Sequence, residues 1–274
     1  MSEPADGVTS GPAVRLADGT TVACQVSGPA TAPPLLLLPG QANSHRWWDG
    51  LRPGFARHFR TISFDYRGTG DTVAGDTDGP EWTTRLFAAD ALAVLDALHC
   101  PSARVYATSM GGRVAQWFAA LYPERVHRLV LACTSPGGAA ARERGAEVRR
   151  LLADPDPHTR RTALLELMYT PAWTAAPSRR STLLGDSRMT ATAARRHLRA
   201  SNGHDASEVL GDIHAPTLVL HGSDDRMVPA HNASLLGDAV PRAVVEIFPG
   251  GRHGFFDEFP AVSDRVTEFL LSDR

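Results

Sequence analysis

The chain contains no lysine, so all 28 of its basic residues other than histidine are arginines. Chemistry that needs a lysine Schiff base, including that of pyridoxal phosphate enzymes, is therefore excluded. The 28 basic residues nearly balance 30 acidic residues, which leaves a net charge of -2. Nucleic acids and anionic membranes attract proteins with a strong basic excess, so we expect neither as a partner.

Cysteine is scarce, with three residues at positions 24, 100 and 133. An odd, scattered set without a Cys-x-x-Cys pair is typical of reduced thiols rather than of a disulfide framework or a metal site. The 11 histidines show no metal-ligand spacing. We therefore expect no metal and no cofactor.

Long hydrophobic runs are absent as well, and none approaches the roughly 20 residues of a membrane span. The segment 1–12 is rich in Gly, Pro and Ser and lacks both a basic start and an apolar core, so it predicts a flexible N-terminal tail rather than a signal peptide. The predicted location is cytoplasmic.

The 274 residues, 43% of them hydrophobic, suffice for one large α/β core. Alternation around Asp18-Gly19 predicts an antiparallel edge hairpin within 14–25, and Leu35 to Leu38 predict a strand buried on both faces. Further strands are predicted over 59–65, 104–106, 126–133, 216–220 and 243–248, and helices over 82–98, 114–121 and 260–271. This alternation predicts a mostly parallel central sheet flanked by helices.

Residues 139–205 differ, because they carry helical patterns broken by prolines, among them Pro177, and no convincing strand. We interpret them as a helical cap inserted after the sixth predicted strand, with 13–138 and 206–274 as the core. The segment holds arginine pairs at 149/150, 160/161, 179/180 and 195/196. They indicate either a solvated helix face or, for one of them, a contact to a substrate carboxylate.

Ser109 stands where a predicted strand stops and a helix begins. Small residues at 107, 111 and 112 allow the close backbone approach that such a reversal needs. A turn of this kind exposes the serine hydroxyl and points the amides of the next helical turn toward the atom that the hydroxyl attacks. Ser109 is therefore a candidate nucleophile.

A nucleophilic serine needs a base, and the base needs a group that orients it. His253 follows the last predicted strand, and the segment after the preceding strand supplies Asp224 and Asp225. The carboxyl ends of parallel strands lie at one edge of a sheet, so we expect these side chains to converge on Ser109.

These motifs together resemble the α/β-hydrolase superfamily with a helical cap, in particular its esterases, its lactonases such as 3-oxoadipate enol-lactonases, and its carbon-carbon hydrolases. The resemblance covers 14–271. It implies that Ser109 is the nucleophile, His253 the general base and Asp225 the orienting carboxylate, with Asp224 as the rival. The backbone amides of Gln41 and Met110 are implied to form the oxyanion hole.

Two positions depart from the family pattern. Ala107 stands where the family has Gly, which adds one methyl group beneath the turn. Pro39 stands where the family usually has His, which removes a side chain that commonly braces the oxyanion loop.

The resemblance implies a serine hydrolase without a cofactor that cleaves a carboxylic ester or lactone of a small to medium organic molecule through an acyl-enzyme. The alternatives are a lyase, cyclase or acyl transferase of a biosynthetic pathway, or a carbon-carbon bond hydrolase. The expected partner is a small-molecule substrate, and no pattern indicates an oligomeric state.

Overall fold

The computed structural model describes residues 9–75, 81–176 and 180–272. Most of the named strands in these ranges coincide with runs of apolar or β-branched residues. The strands are β1 (Thr9–Ser10), β2 (Val14–Arg15), β3 (Thr21–Val22), β4 (Cys24–Ser27), β5 (Pro34–Leu38), β6 (Arg60–Phe64), β7 (Ala103–Thr108), β8 (Val126–Ala132), β9 (Thr217–Gly222) and β10 (Ala243–Phe248).

Helices connect these strands, and several begin at a residue suited to a helix start. Asp156 accepts hydrogen bonds from the first amides of α5 (Pro157–Met168), and Pro260 opens α10 (Pro260–Leu271). The helices are α1 (Arg52–Phe55), α2 (Thr84–Ala97), α3 (Met110–Leu121), α4 (Ala146–Leu152), α5 (Pro157–Met168), α6 (Pro171–Thr174), α7 (Ala191–Asn202), α8 (His231–Ala239), α9 (Phe255–Glu258) and α10 (Pro260–Leu271).

Eight strands form the central sheet in the order β1-β4-β6-β5-β7-β8-β9-β10. Six strands run parallel, namely β6, β5, β7, β8, β9 and β10. Strands β1 and β4 are antiparallel to their neighbours. The predicted mostly parallel sheet is thus confirmed. β6 lies on one side of β5 and β7 on the other, so the order in which strands are added reverses there. A crevice forms at such a point, at the carboxyl ends of the strands.

The N-terminal stretch forms more and shorter strands than the sequence indicates. The predicted hairpin is present as a separate two-stranded sheet of β2 and β3, with Gly19 in the left-handed region at φ +82°. β4 instead joins the central sheet. Of the predicted tail, residues 1–8 lie outside the described residues, while Thr9–Ser10 form β1. β8 therefore corresponds to the sixth strand counted from the sequence.

Two hydrophobic clusters cover the two faces of the sheet. Alternate leucines of β5 serve both, since Leu36 and Leu38 pack with α2 and α3, whereas Leu35 and Leu37 pack with α9 and α10. This is the burial on both faces that the continuous leucine run predicts. The rigid sheet fixes the positions of the loops at its carboxyl edge.

The segment 139–205 contains α4 to α7, and its described part contains no named strand. Met168, Tyr169, Trp173 and Leu183 of this segment are buried in the same cluster as Phe256 of α9. Pro177 and Arg179 lie outside the described residues. None of the helices in the described ranges combines the length and apolar character that crossing a membrane requires.

Candidate active site

Ser109 lies between β7 and α3 in a strained backbone conformation. Its φ is +53°, in the left-handed region that residues with a Cβ rarely adopt. Its N–H donates to the carbonyl oxygen of Ala132 at 2.9 Å, and its own carbonyl accepts from the hydroxyl of Thr134 at 2.7 Å. These bonds to the end of β8 and to the residue two positions beyond it hold the turn.

Glycine is required two residues further on. A Cβ at Gly111 would clash with the carbonyl oxygen of Leu38, at the end of β5. The first turn of α3 therefore approaches the loop after β5 more closely than a side chain permits. The additional methyl group of Ala107, in contrast, is fully buried in the core with Val105.

His253 follows β10, and its imidazole is 2% exposed. Its Nε2 lies 3.0 Å from Oγ of Ser109, and its Nδ1 lies 2.7 Å from Oδ2 of Asp225. The backbone N–H of His253 donates to the carbonyl of Leu167 at 3.2 Å, and that of Gly254 to the carbonyl of Met168 at 2.7 Å. The end of α5 thus positions the histidine loop.

Asp225 is buried in the loop after β9, and both of its carboxylate oxygens are bonded. Oδ1 accepts from the backbone N–H groups of Met227 and Val228, each at 2.8 Å, while Oδ2 faces His253. Burial by itself raises the pKa of the carboxyl, but the positive charge that His253 carries when protonated, together with hydrogen bonds from His221 and His253, outweighs it. The pKa of Asp225 therefore lies well below its usual range.

These contacts determine the direction of each hydrogen bond. The Asp225 carboxylate can only accept, so Nδ1 of His253 carries the hydrogen, and Nε2 of the neutral ring accepts from the Ser109 hydroxyl. This arrangement can draw a proton from the serine oxygen while the aspartate stabilises the imidazolium that forms.

His221 belongs to this cluster, although the sequence did not single it out. Its ring is fully buried, its Nε2–H donates to the carbonyl of Val228 at 2.8 Å, and Nε2 lies 3.4 Å from Oδ2 of Asp225. The signal is present in the sequence, because His221 is the fourth residue before Asp225. Histidine in an otherwise apolar strand could have marked it.

The two predicted oxyanion residues follow neighbouring strands of the sheet, β5 and β7. Met110 opens α3, and the first amides of a helix have no partner within it. Gln41 lies in the loop after β5, whose strand neighbours β7 in the sheet. Among the described residues, the N–H of Gln41 donates to no acceptor.

Asp65, which follows β6, contacts the loop after β5. The carboxylate is fully buried, and Oδ1 accepts from the backbone N–H of His45 at 2.6 Å and faces Nδ1 of the same residue at 2.9 Å. Oδ2 accepts from the N–H of Asp71 at 3.0 Å. Asp65 thereby fixes the far end of the segment that begins at Gln41.

The sequence also drew attention to three cysteines, to a possible metal site and to the arginine pairs of 139–205. The three cysteines are buried free thiols, and within the described ranges no three His, Cys, Asp or Glu side chains are grouped so as to hold a metal ion. The arginine pairs of 139–205 are mostly exposed, namely Arg149, Arg150, Arg161, Arg180 and Arg195, with Arg160 and Arg196 half-buried.

Comparison with protein families gives one decisive match. The family model for the α/β-hydrolase fold matches residues 33–259, which span every site residue described above. The chain belongs to the α/β-hydrolase family. This match confirms the resemblance inferred from the motifs. It also confirms the prediction that the chain is an enzyme of this superfamily.

Relatives of this α/β hydrolase share nearly its full length. A protein of Pseudomonas syringae pv. syringae, provisionally named carbamate hydrolase RutD, is 31% identical over 253 residues, which are 89% of this chain and 95% of the relative. The crystal structure of a hydrolase from Pseudomonas aeruginosa has a TM-score of 0.79 at 29% identity and covers 98% of this chain and 100% of its own.

A third comparison concerns the fold alone. The enol-lactonase of Burkholderia xenovorans superposes with a TM-score of 0.76 at 21% identity, over 95% of this chain and 100% of the lactonase chain.

Proposed function

We propose that this α/β hydrolase is a serine hydrolase that cleaves a carboxylic ester or lactone of a small to medium organic molecule. The observation that carries the proposal is the chain of contacts from Oγ of Ser109 to Nε2 of His253, at 3.0 Å, and from Nδ1 of His253 to Asp225, at 2.7 Å. Nucleophile, base and orienting acid are within hydrogen-bond reach of one another, as acyl transfer to a serine requires.

In the proposed reaction, Oγ of Ser109 attacks the substrate carbonyl carbon while Nε2 of His253 takes the hydroxyl proton. The negative charge on the carbonyl oxygen is stabilised by the N–H groups of Gln41 and Met110. His253 then donates the proton to the leaving oxygen, and the acyl-enzyme forms. A water molecule, deprotonated by His253, releases the acid and restores the serine.

A carbamate is a second candidate substrate, and one observation favours it. The relative named for carbamate hydrolysis matches 89% of this chain at 31% identity. A carbamate carbonyl can be attacked by Ser109 in the same geometry, and it leaves a carbamoyl-enzyme in place of an acyl-enzyme. The same residues therefore serve both reactions.

We also propose that residues 139–205 form a cap over this site. The support comes from hydrogen bonds at two loops, since Leu167 and Met168 accept from the histidine loop, and the N–H of Asp186 donates to the carbonyl of Ala42 beside Gln41. A segment that touches both loops is suited to exclude water and shape the substrate pocket.

The test measures turnover of p-nitrophenyl esters and of matched p-nitrophenyl carbamates, together with labelling by a fluorophosphonate. Ser109→Ala is expected to abolish turnover and labelling. Ser102→Ala is the matched control, because Oγ of Ser102 also faces a histidine, Nε2 of His127 at 2.7 Å, but at the opposite edge of the sheet. It should retain full activity and labelling.

Persistent labelling in Ser109→Ala would refute Ser109 as the nucleophile. Labelling of the wild-type protein at Ser109 without hydrolysis of any ester, lactone or carbamate would instead favour the alternatives, a lyase, cyclase or acyl transferase, or a carbon-carbon bond hydrolase.

A further inference from the structure

His197 of α7 is a fully buried histidine that the proposed reaction does not use. Its ring lies among aromatic side chains, with centroids 5.4 Å from Phe87, 5.7 Å from Trp82 and 6.1 Å from Tyr66. A buried imidazole is costly unless its nitrogens are hydrogen-bonded. The partners of these two nitrogens are therefore informative.

Both ring nitrogens bond to backbone groups at the carboxyl edge of the sheet. Nε2 lies 2.9 Å from the carbonyl oxygen of Arg67, after β6, and Nδ1 lies 3.3 Å from the backbone nitrogen of Ala42, after β5. The carbonyl can only accept, so Nε2 carries the hydrogen, and Nδ1 accepts from the N–H of Ala42. Burial lowers the pKa of His197 to about 4, which keeps the ring neutral as this pattern requires.

The peptide group between Gln41 and Ala42 is held at both of its polar atoms. Its N–H donates to His197, and its carbonyl oxygen accepts from Nδ2 of Asn43 at 2.8 Å. Ala42 itself has φ +59°, a left-handed conformation that costs an alanine about 1 kcal/mol or more. Such a conformation persists only where its surroundings hold it.

The next peptide group, between Ala42 and Asn43, is also restrained. The carbonyl oxygen of Ala42 accepts from the N–H of Asp186 at 2.7 Å, and Oδ1 of Asn43 accepts from the N–H of Gly185 at 3.0 Å. Pro39, two residues before Gln41, provides neither an N–H nor a polar side chain for this purpose. The hydrogen bonds that hold Ala42 from outside the loop therefore come from the segment 185–197.

We propose that His197 is a positioning residue that orients the N–H of Gln41 toward the developing oxyanion by fixing the adjacent peptide group through Ala42. This inference rests on the proposed function, because it assumes that Gln41 is an oxyanion donor. It makes α7 part of the machinery for transition-state stabilisation without any contact between His197 and the substrate.

The test replaces His197 with residues that differ in hydrogen bonding. His197→Leu removes both bonds, and we expect kcat for a p-nitrophenyl ester to fall by about 10- to 100-fold with KM nearly unchanged, less than the loss of a whole donor. A trifluoromethyl ketone forms an oxyanion when the serine adds to it. Its inhibition constant should rise by the same factor by which kcat/KM falls. His197→Gln, which keeps one donor and one acceptor, should recover most of both losses.

His204→Leu is the matched control. His204 is also buried and bonded through both ring nitrogens, to Thr84 at 2.9 Å and Gln116 at 3.4 Å, and neither partner belongs to the loop after β5. A loss of kcat in His204→Leu equal to that in His197→Leu would overturn the proposal, as would unchanged kcat and inhibition in His197→Leu. The kcat values of His197→Leu and His204→Leu are compared at equal concentrations of folded protein.

Asn43→Ala gives an independent reading if His197→Leu does not fold. It removes the other restraint on the same peptide group, so unchanged kcat and inhibition in Asn43→Ala would also contradict the proposal. Failure of the proposed function is distinct, because the wild-type protein itself would then hydrolyse no ester, lactone or carbamate.

Discussion

At the scale of single residues, the two neighbouring aspartates after β9 have opposite surroundings. The side chain of Asp224 is exposed, and its Oδ1 accepts from the hydroxyl of Ser223 at 2.7 Å. Asp225 is buried and faces His253. Asp225 can therefore orient the imidazole, whereas Asp224 belongs to the turn.

Asp225→Asn is expected to lower kcat by about 10⁴-fold while the fold is retained. The amide favours the wrong tautomer of His253, because its nitrogen cannot accept the Nδ1 hydrogen. Steady-state kinetics on a p-nitrophenyl ester measure the effect. Asp224→Asn is the matched control and should stay within about twofold of the wild type, as exposed substitutions generally do. A larger loss in Asp224→Asn than in Asp225→Asn would reverse the assignment.

Local signals explain how much of the site could be predicted. The small residues of its turn predicted Ser109, and positions after strands predicted His253 and the pair Asp224 and Asp225. The family resemblance favoured Asp225. Asp65 and His197 were not found, since their partners lie 20 and 155 residues away in the chain. No local spacing encodes a contact of that kind.

At the scale of elements, Arg67 joins the β2–β3 hairpin, the turn after β6 and helix α2. Its guanidinium is buried and binds both carboxylate oxygens of Asp90, at 2.7 and 2.8 Å. It also donates to Asp18 and, at 3.1 Å, to the hydroxyl of Thr20. Three elements are thereby held by one side chain.

Arg67→Ala should lower the free energy of unfolding by about 3–5 kcal/mol, because it leaves the Asp90 carboxylate buried without its partner. Urea unfolding measures the change. Arg188→Ala is the matched control, since Arg188 also pairs with an aspartate, Asp71 at 2.7 Å, but both side chains are more than half exposed. That pair should contribute about 1 kcal/mol or less. Equal losses in the two variants would contradict this interpretation.

The elements that were predicted are those with a local signature. The leucine run predicted β5, and the helical spacing of apolar residues after Pro260 predicted α10. Helix α8 was not predicted, because it is short and two of its three buried residues, Asn232 and Ala233, do not stand out as apolar. Likewise, whether 24–27 pairs within the hairpin or with β6 depends on the tertiary fold.

At the scale of the whole molecule, two buried histidines make the stability depend on pH. Burial lowers the pKa of His197 to about 4, and burial together with the charge of Arg113 lowers that of His204 to about 3. An unfolded histidine has a pKa of about 6.5. Between these values the unfolded chain binds protons that the folded protein does not, so acid favours unfolding.

The free energy of unfolding is therefore expected to fall as the pH drops below about 6.5, by about 1.4 kcal/mol per pH unit for each histidine. The low pKa of Asp225 adds a further loss only below about pH 4. Urea unfolding between about pH 7 and about pH 5 measures how the free energy of unfolding depends on pH. This dependence should be weaker for His204→Gln, because unfolding of the variant takes up one proton fewer. An identical slope in variant and wild type would contradict the assignment.

The hydrogen bond between His253 and Ser109 joins residues 144 positions apart, and β10, which carries the histidine loop, is the last strand of the described sheet in chain order. During synthesis the serine turn therefore leaves the ribosome well before its base. The nascent chain therefore holds Ser109 without its imidazole partner until the segment after β10 has been synthesised. We expect nascent chains that stop before residue 253 to be inactive, because they lack the proposed base.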